Sequence, residues 1–198
     1  MREQPLTPFG LGWPNIVSVL RALLVPSLVV LILARERTAS YVASAIFVAG
    51  AATDGLDGYL ARRYSSATST GQWLDPLADK ILVAAPVLTL AALGEFPVWA
   101  AVVIVAREIS ISLLRILLGL RGRGMPASPA AKIKTTLQLA AITLYILPLG
   151  SSWHGLRLGL LIAAVVLTLV TGVHYVFRAM PWLRRVRPDP PVKPGPAA

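Results

Sequence analysis

The stretch on which the reading of this chain turns is Asp54, Gly55, Leu56, Asp57, Gly58, Tyr59, Leu60, Ala61, Arg62, then eight residues, then Gly71, Gln72, Trp73, Leu74, Asp75, Pro76, Leu77, Ala78, Asp79. Two aspartates close one long apolar run and two open the next, with only the polar turn from Arg62 to Gly71 between them. The pattern predicts an antiparallel helical hairpin with acid at its closed end. In hydrocarbon an aspartate costs roughly 2.5–3.5 kcal/mol, so four come to about 10 kcal/mol or more, comparable to the stability of a whole domain. A bound cation is the obvious compensation.

Working outward, apolar runs extend over Ile16–Ala34, Tyr41–Leu60, Trp73–Leu93, Phe96–Leu120, Ile133–Leu149 and Leu156–Phe177. At 17 to 25 residues each is long enough to cross a bilayer as a helix. A soluble core accounts for one or two such runs, but not for six in succession with little amphipathic alternation. The sequence therefore predicts an all-α, polytopic membrane protein with six transmembrane helices. Its expected organisation is an interfacial N-terminal segment over residues 1–15, a six-helix domain over 16–180 and a flexible, basic, proline-rich tail over 181–198. Arg21 interrupts the first run and five more runs follow, so that run reads as a retained helix rather than a cleaved leader.

The formal net charge is +10, and its placement carries more information than its size. With the N-terminus in the cytoplasm, Arg2, Arg62, Arg63, Arg121, Arg123, Lys132, Lys134, Arg178, Arg184, Arg185, Arg187 and Lys193 fall on that side, against Arg35, Arg37 and Arg157 on the other. This positive-inside bias, with an even number of spans, puts both termini in the cytoplasm of a multi-pass cell-membrane protein. Orientation and anionic headgroups explain the basic character better than nucleic acid does. The chain has no cysteine, which excludes disulfides and thiolate metal sites.

On helices, Asp54 and Asp57 share a face with Gly58 and Ala61, and Asp75 shares one with Asp79. Small residues on that face let a phosphate diester approach closely. The ligand set is all oxygen, with His154 and His174 far along the chain, so a hard cation, Mg²⁺ or Mn²⁺, fits better than zinc. Four negative charges balance two divalent ions, and paired ions suit in-line displacement at phosphorus. The competing reading is structural ion pairing with Arg62, Arg63, Lys80 or Arg107. Four aspartates in two helical pairs flanked by glycines weigh against it, although Lys80 remains a natural partner for a neighbouring acid.

These residues also resemble the signature of the CDP-alcohol phosphatidyltransferase family: two aspartates, glycine, alanine and arginine, eight residues, glycine, and two more aspartates, with every position met. The resemblance implies that Asp54, Asp57 and Asp75 are metal ligands and that Asp79 is both a ligand and the general base. It also implies that Gly58, Arg62 and Thr68 hold the CDP-lipid. Pro14, Asn15, Ile16, Val17, Ser18 and Arg21 resemble a second family element that meets the nucleotide, with Ser18 replacing the more usual threonine.

In the second half, Arg107, Glu108, Ser112 and Arg115 are expected to form a polar stripe on the fourth span, with Lys132 and Lys134 at the start of the fifth. Ser128 is placed to cap that helix with Pro129 at its first position, an arrangement suited to an anion. The alternative is that Arg107 and Glu108 satisfy partners inside the bundle and the lysines anchor the cytoplasmic face. Ala106 to Arg115 and Lys132 to Gln138 resemble the branch of the family that makes phosphatidylglycerophosphate. This implies CDP-diacylglycerol as donor and glycerol 3-phosphate as acceptor, with Arg107, Arg115, Lys132 and Lys134 on the acceptor's phosphate. His174 and Tyr175 are expected in the interfacial belt with Trp182. Rival readings are a phosphatidylinositol-phosphate synthase or a cardiolipin synthase of the same family and, outside the enzymes, a cation transporter using the acidic hairpin as its ion path. Membrane lipids surround the chain on any of these readings, and a homodimer is compatible with all of them.

Overall fold

The computed structural model describes the backbone of residues 13–64, 71–120 and 129–184, and the side chains of 23–53, 80–119 and 132–181. These residues form six α-helices and no strand: α1 Trp13–Leu33, α2 Arg37–Tyr64, α3 Gly71–Ala92, α4 Val98–Leu120, α5 Pro129–Ile146 and α6 His154–Arg184, the last preceded by a 3₁₀ turn at Ser151–Trp153. Each predicted apolar run corresponds to one helix.

The ends follow local chemistry. Pro14 sits in the first turn of α1 and Pro129 opens α5, where a missing N–H costs nothing. The turn between α1 and α2 places Arg35 at φ 55°, and α3 ends in a turn with Gly94 at φ 75°. Two helices run past the C-terminal ends of their apolar runs. α2 continues through Ala61, Arg62 and Arg63 to Tyr64, which shortens the expected polar turn, because arginine is a good helix former and cations suit a helix C-terminus. α6 continues through Pro181 to Arg184, past the expected start of the tail. A proline there removes one backbone hydrogen bond near the helix end, while the leucine and arginine that follow favour helix.

The short described connections between α1 and α2, α3 and α4, and α5 and α6 make those neighbours antiparallel. Arg35 Nη2 donates to Glu95 Oε1 at 3.1 Å, joining the α1–α2 turn to the α3–α4 turn at one end of the bundle. At the α5–α6 connection, Arg157 Nη2 donates to the Leu147 carbonyl at 2.7 Å and the Leu149 carbonyl at 3.2 Å, capping the end of α5. Its guanidinium lies 5.9 Å from the centroid of Tyr145, whose ring meets Phe96 edge-on at 4.7 Å.

All six helices feed one core, with Leu28, Phe47, Leu82, Ile104, Ile142 and Leu161 fully buried. The outside is equally apolar: Val30, Val102, Leu113, Val166, Val170 and Phe177 are each more than half exposed. So large an exposed apolar surface marks contact with lipid or another apolar phase. Among the described residues one helix, Ser151–Pro181, is long and apolar enough to cross a membrane.

α1 packs against both α2 and α3, and α3 also touches α2, α4 and α5. Gly50 of α2 is the tight point. A Cβ there would lie 3.1 Å from Leu82 Cδ2 of α3, one turn before Asp54 and three residues after Asp79. This close approach sets the α2–α3 spacing beside the acidic motif. Gly50→Val is expected to destabilise the bundle by about 1–3 kcal/mol through overpacking and to lower activity with it. Thermal unfolding in detergent measures this, and an unchanged transition with full activity would refute the tight crossing.

Candidate active site

The acidic motif occupies the last part of α2 and the first half of α3, and the backbone is helical through all four aspartates. Helical register therefore keeps Asp54 with Asp57, and Asp75 with Asp79, on one face each. Their side chains lie outside the described residues, as do those of Asn15, Ser18 and Arg62, and of Gly58 only the helical backbone is described; Thr68 and Ser128 lie outside altogether. Among the described residues no group of three or more histidines, aspartates or glutamates gathers to hold a metal. Two pairs of carboxylates on helices that touch fit hard divalent cations by donor chemistry alone.

Immediately after Asp79 comes Lys80, and from here the side chains are described. Lys80 Nζ donates to Glu108 Oε2 of α4 at 3.2 Å. Arg107 Nη1 donates to Glu108 Oε1 at 3.1 Å, and Lys134 Nζ of α5 donates to the same oxygen. Glu108 thus ties α3, α4 and α5 together. The Lys134 and Arg107 side chains are only 5% and 13% exposed and that of Glu108 19%, so these pairs are sheltered from bulk water. Three cations around one carboxylate leave this cluster with an excess of positive charge.

The expected partner of Lys80 is therefore Glu108, far along the chain. Arg107 and Lys134 do satisfy a partner inside the bundle, and both also lie in one positively charged cluster. Arg107 keeps its Nε buried without a hydrogen-bond partner among the described residues, a donor still available to a ligand or water. Ser112, expected in the same polar stripe, instead donates to the Glu108 carbonyl of its own helix at 2.6 Å. Lys132 is exposed at the start of α5, outside the cluster.

α6 contributes two residues that the sequence did not single out for the site. Arg107 Nη2 donates to Thr171 Oγ1 at 3.1 Å, and Arg115 Nε donates to the Tyr175 hydroxyl at 3.1 Å. The Arg115 guanidinium also lies 5.2 Å from the Tyr175 ring centroid. Tyr175 is therefore not in an interfacial belt: it is 5% exposed and faces α4, while His174 beside it is exposed. The physical reason is register. One helical step of about 100° separates the two side chains, and the arginine supplies the polar partner that a buried tyrosine hydroxyl needs. Thr171 and Tyr175 stand four apart on one face of α6, a spacing that the sequence displayed without revealing what it meets.

Known proteins carry the same pattern over most of their length. A Mycobacterium tuberculosis protein named a probable phosphatidylglycerophosphate synthase is 40% identical over 169 residues, covering 84% of this chain and 80% of its own. A CDP-diacylglycerol–glycerol-3-phosphate 3-phosphatidyltransferase of Pseudomonas fluorescens is 37% identical over 179 residues, covering 86% and 91%. One of the same name from Bacillus subtilis is 34% identical over 146 residues, covering 68% and 76%. Residues 11–170, from the start of α1 through the basic cluster and the first half of α6, match the pattern of one family, and the chain belongs to it: the CDP-alcohol phosphatidyltransferases.

Proposed function

We propose that this chain transfers the phosphatidyl group of CDP-diacylglycerol to the primary hydroxyl of glycerol 3-phosphate, giving phosphatidylglycerophosphate and CMP. The observation that carries this reading is the cluster of Lys80, Arg107 and Lys134 around Glu108, covalently continuous with Asp79 through Lys80. Its surplus of cations suits the acceptor's phosphate, and Lys80 follows directly in sequence on the residue assigned as base. The relatives' names support the same donor and acceptor.

In this reading Asp54, Asp57, Asp75 and Asp79 hold two divalent cations, Mg²⁺ or Mn²⁺, which when bound neutralise charge on the donor's pyrophosphate and on the departing CMP. Asn15, Ser18, Gly58, Arg62 and Thr68 hold the CDP-lipid. Arg107, Arg115, Lys132 and Lys134 hold the acceptor phosphate. Asp79 removes the hydroxyl proton, the acceptor oxygen bonds to the lipid-linked phosphorus, and the bond from that phosphorus to CMP breaks. The proton leaves on the carboxylate and the electron pair leaves with CMP.

The six helices serve as six spans, with both termini and the site on the cytoplasmic side, where a soluble acceptor meets a bilayer-bound donor. The apolar exterior and the distribution of arginine and lysine support this topology. The segment 1–15 and the basic tail flank the catalytic domain. Chelation is expected to stop turnover, with recovery on adding Mg²⁺ or Mn²⁺; activity that persists in excess chelator would remove the metals from the scheme.

Acceptor competition tests the reaction itself. Purified protein receives CDP-diacylglycerol, Mg²⁺ and equal amounts of glycerol 3-phosphate, inositol phosphate and phosphatidylglycerol, and the product is identified by mass. Phosphatidylglycerophosphate with CMP is the expected result. A phosphatidylinositol phosphate or cardiolipin product instead assigns the chain to another branch, and ion movement without CMP release assigns it to transport.

A further inference from the structure

The geometry points to Tyr175 as a positioning residue that presents the terminal amino groups of Arg115 to the acceptor's phosphate. This inference rests on the reading of Arg115 as an acceptor ligand. Arginine is a flexible side chain, and a guanidinium that binds phosphate through two parallel bonds gains most when its plane is fixed beforehand. Tyr175 fixes that plane twice. Its hydroxyl accepts from Nε at 3.1 Å, and its ring lies under the guanidinium with 5.2 Å between Cζ and the centroid.

Nε is the one guanidinium nitrogen that a side-on hydrogen bond can engage while leaving both Nη groups pointing outward. Among the described residues neither Nη of Arg115 makes a hydrogen bond, and Arg115 is exposed while the tyrosine below it is buried. A rigid aromatic floor therefore carries an open fork. Arg107, eight residues earlier on α4, is held to α6 in the same manner, through Thr171, one turn from Tyr175. α6, without a charged residue in the site, thus sets the orientation of both α4 arginines. Arg115 lies two turns further toward the C-terminal end of α4 than the Glu108 cluster and, among the described residues, forms no hydrogen bond or ion pair with its members. It is a separate cation whose placement depends on α6.

The test uses full-length protein in detergent, with KM and kcat measured for glycerol 3-phosphate and CDP-diacylglycerol. Tyr175→Phe removes the hydroxyl and keeps the stack; Tyr175→Leu removes both. Tyr175→Phe is expected to raise KM for glycerol 3-phosphate by about 3–10-fold, the net worth of one ordinary hydrogen bond, since Arg115 is exposed to solvent. Tyr175→Leu adds roughly another 2–5-fold for the lost cation–π contact. KM for CDP-diacylglycerol and kcat stay within twofold. In an Arg115→Ala background Tyr175→Phe has no further effect, because the tyrosine acts through the arginine. The inference is overturned if Tyr175→Phe leaves the acceptor KM unchanged, raises both KM values alike, or raises the acceptor KM equally with and without Arg115. Tyr175→Phe preserves the packed ring, so the test survives a Tyr175→Leu protein that does not fold. Wild-type protein that makes no phosphatidylglycerophosphate refutes the proposed function; wild-type protein that makes it while Tyr175→Phe is silent refutes only the role of Tyr175.

Discussion

Asp79→Asn is expected to lower kcat by roughly 10²–10⁴-fold, the usual contribution of a positioned general base, while binding of CDP-diacylglycerol partly survives. The substitution keeps shape and one carbonyl oxygen but removes the proton acceptor and one negative charge. Three carboxylates of the motif remain to hold cation and donor, so the loss falls on the chemical step more than on the donor complex. Single-turnover measurement of CMP release, set beside binding of the CDP-lipid, separates the two duties. Undiminished turnover would end the assignment of Asp79 as base. A complete loss of donor binding would make it a ligand first, with the base elsewhere.

The second large effect belongs to Glu108→Gln. It leaves Lys80, Arg107 and Lys134 facing one another with no carboxylate among the described residues to pair them, two of them almost fully enclosed. Removing one partner of a buried pair costs about 3–5 kcal/mol, and the partial exposure of Glu108 reduces this to about 2–4 kcal/mol. The protein is expected to unfold at lower temperature and to lose affinity for glycerol 3-phosphate more than for CDP-diacylglycerol, because the lysines and arginine spread apart. Adding Lys134→Met to Glu108→Gln removes the most enclosed of the unpaired charges and is expected to return part of the stability but not the acceptor affinity. Thermal unfolding together with the two KM values checks both parts. Stability and acceptor KM unaltered by Glu108→Gln would show that this carboxylate organises nothing.

The two variants probe different degrees of legibility. Asp79 was visible in the sequence because the acids, glycines and Arg62 keep a fixed spacing across one turn, and helical periodicity alone assigns them to faces. The six helices were equally visible, since runs of 17 to 25 apolar residues between polar turns leave the backbone little choice but to satisfy its own hydrogen bonds. Where prediction and structure differ, at the ends of α2 and α6, local propensity and arginines at a helix C-terminus carried the helix beyond the apolar run. Glu108 was visible only as one member of a stripe. That it gathers Lys80 from 28 residues before it and Lys134 from 26 residues after it was not. Tyr175 was misplaced for the same reason: a tyrosine near the end of an apolar run looks alike whether it faces lipid or an arginine.

What the sequence by itself determined about this protein is local and periodic: six helices, an acidic motif split between the second and third, the sign of the charge at each turn, and through that motif the family. The tertiary structure alone decided which charges meet, namely the gathering of three cations on Glu108, the docking of Arg107 and Arg115 on hydroxyls of α6, and the close approach of Gly50 to Leu82. The division has a physical cause. Helix formation depends on residues within a turn or two of each other, whereas contacts between helices depend on rotation about each axis and shift along it, and these are fixed only when all six pack together.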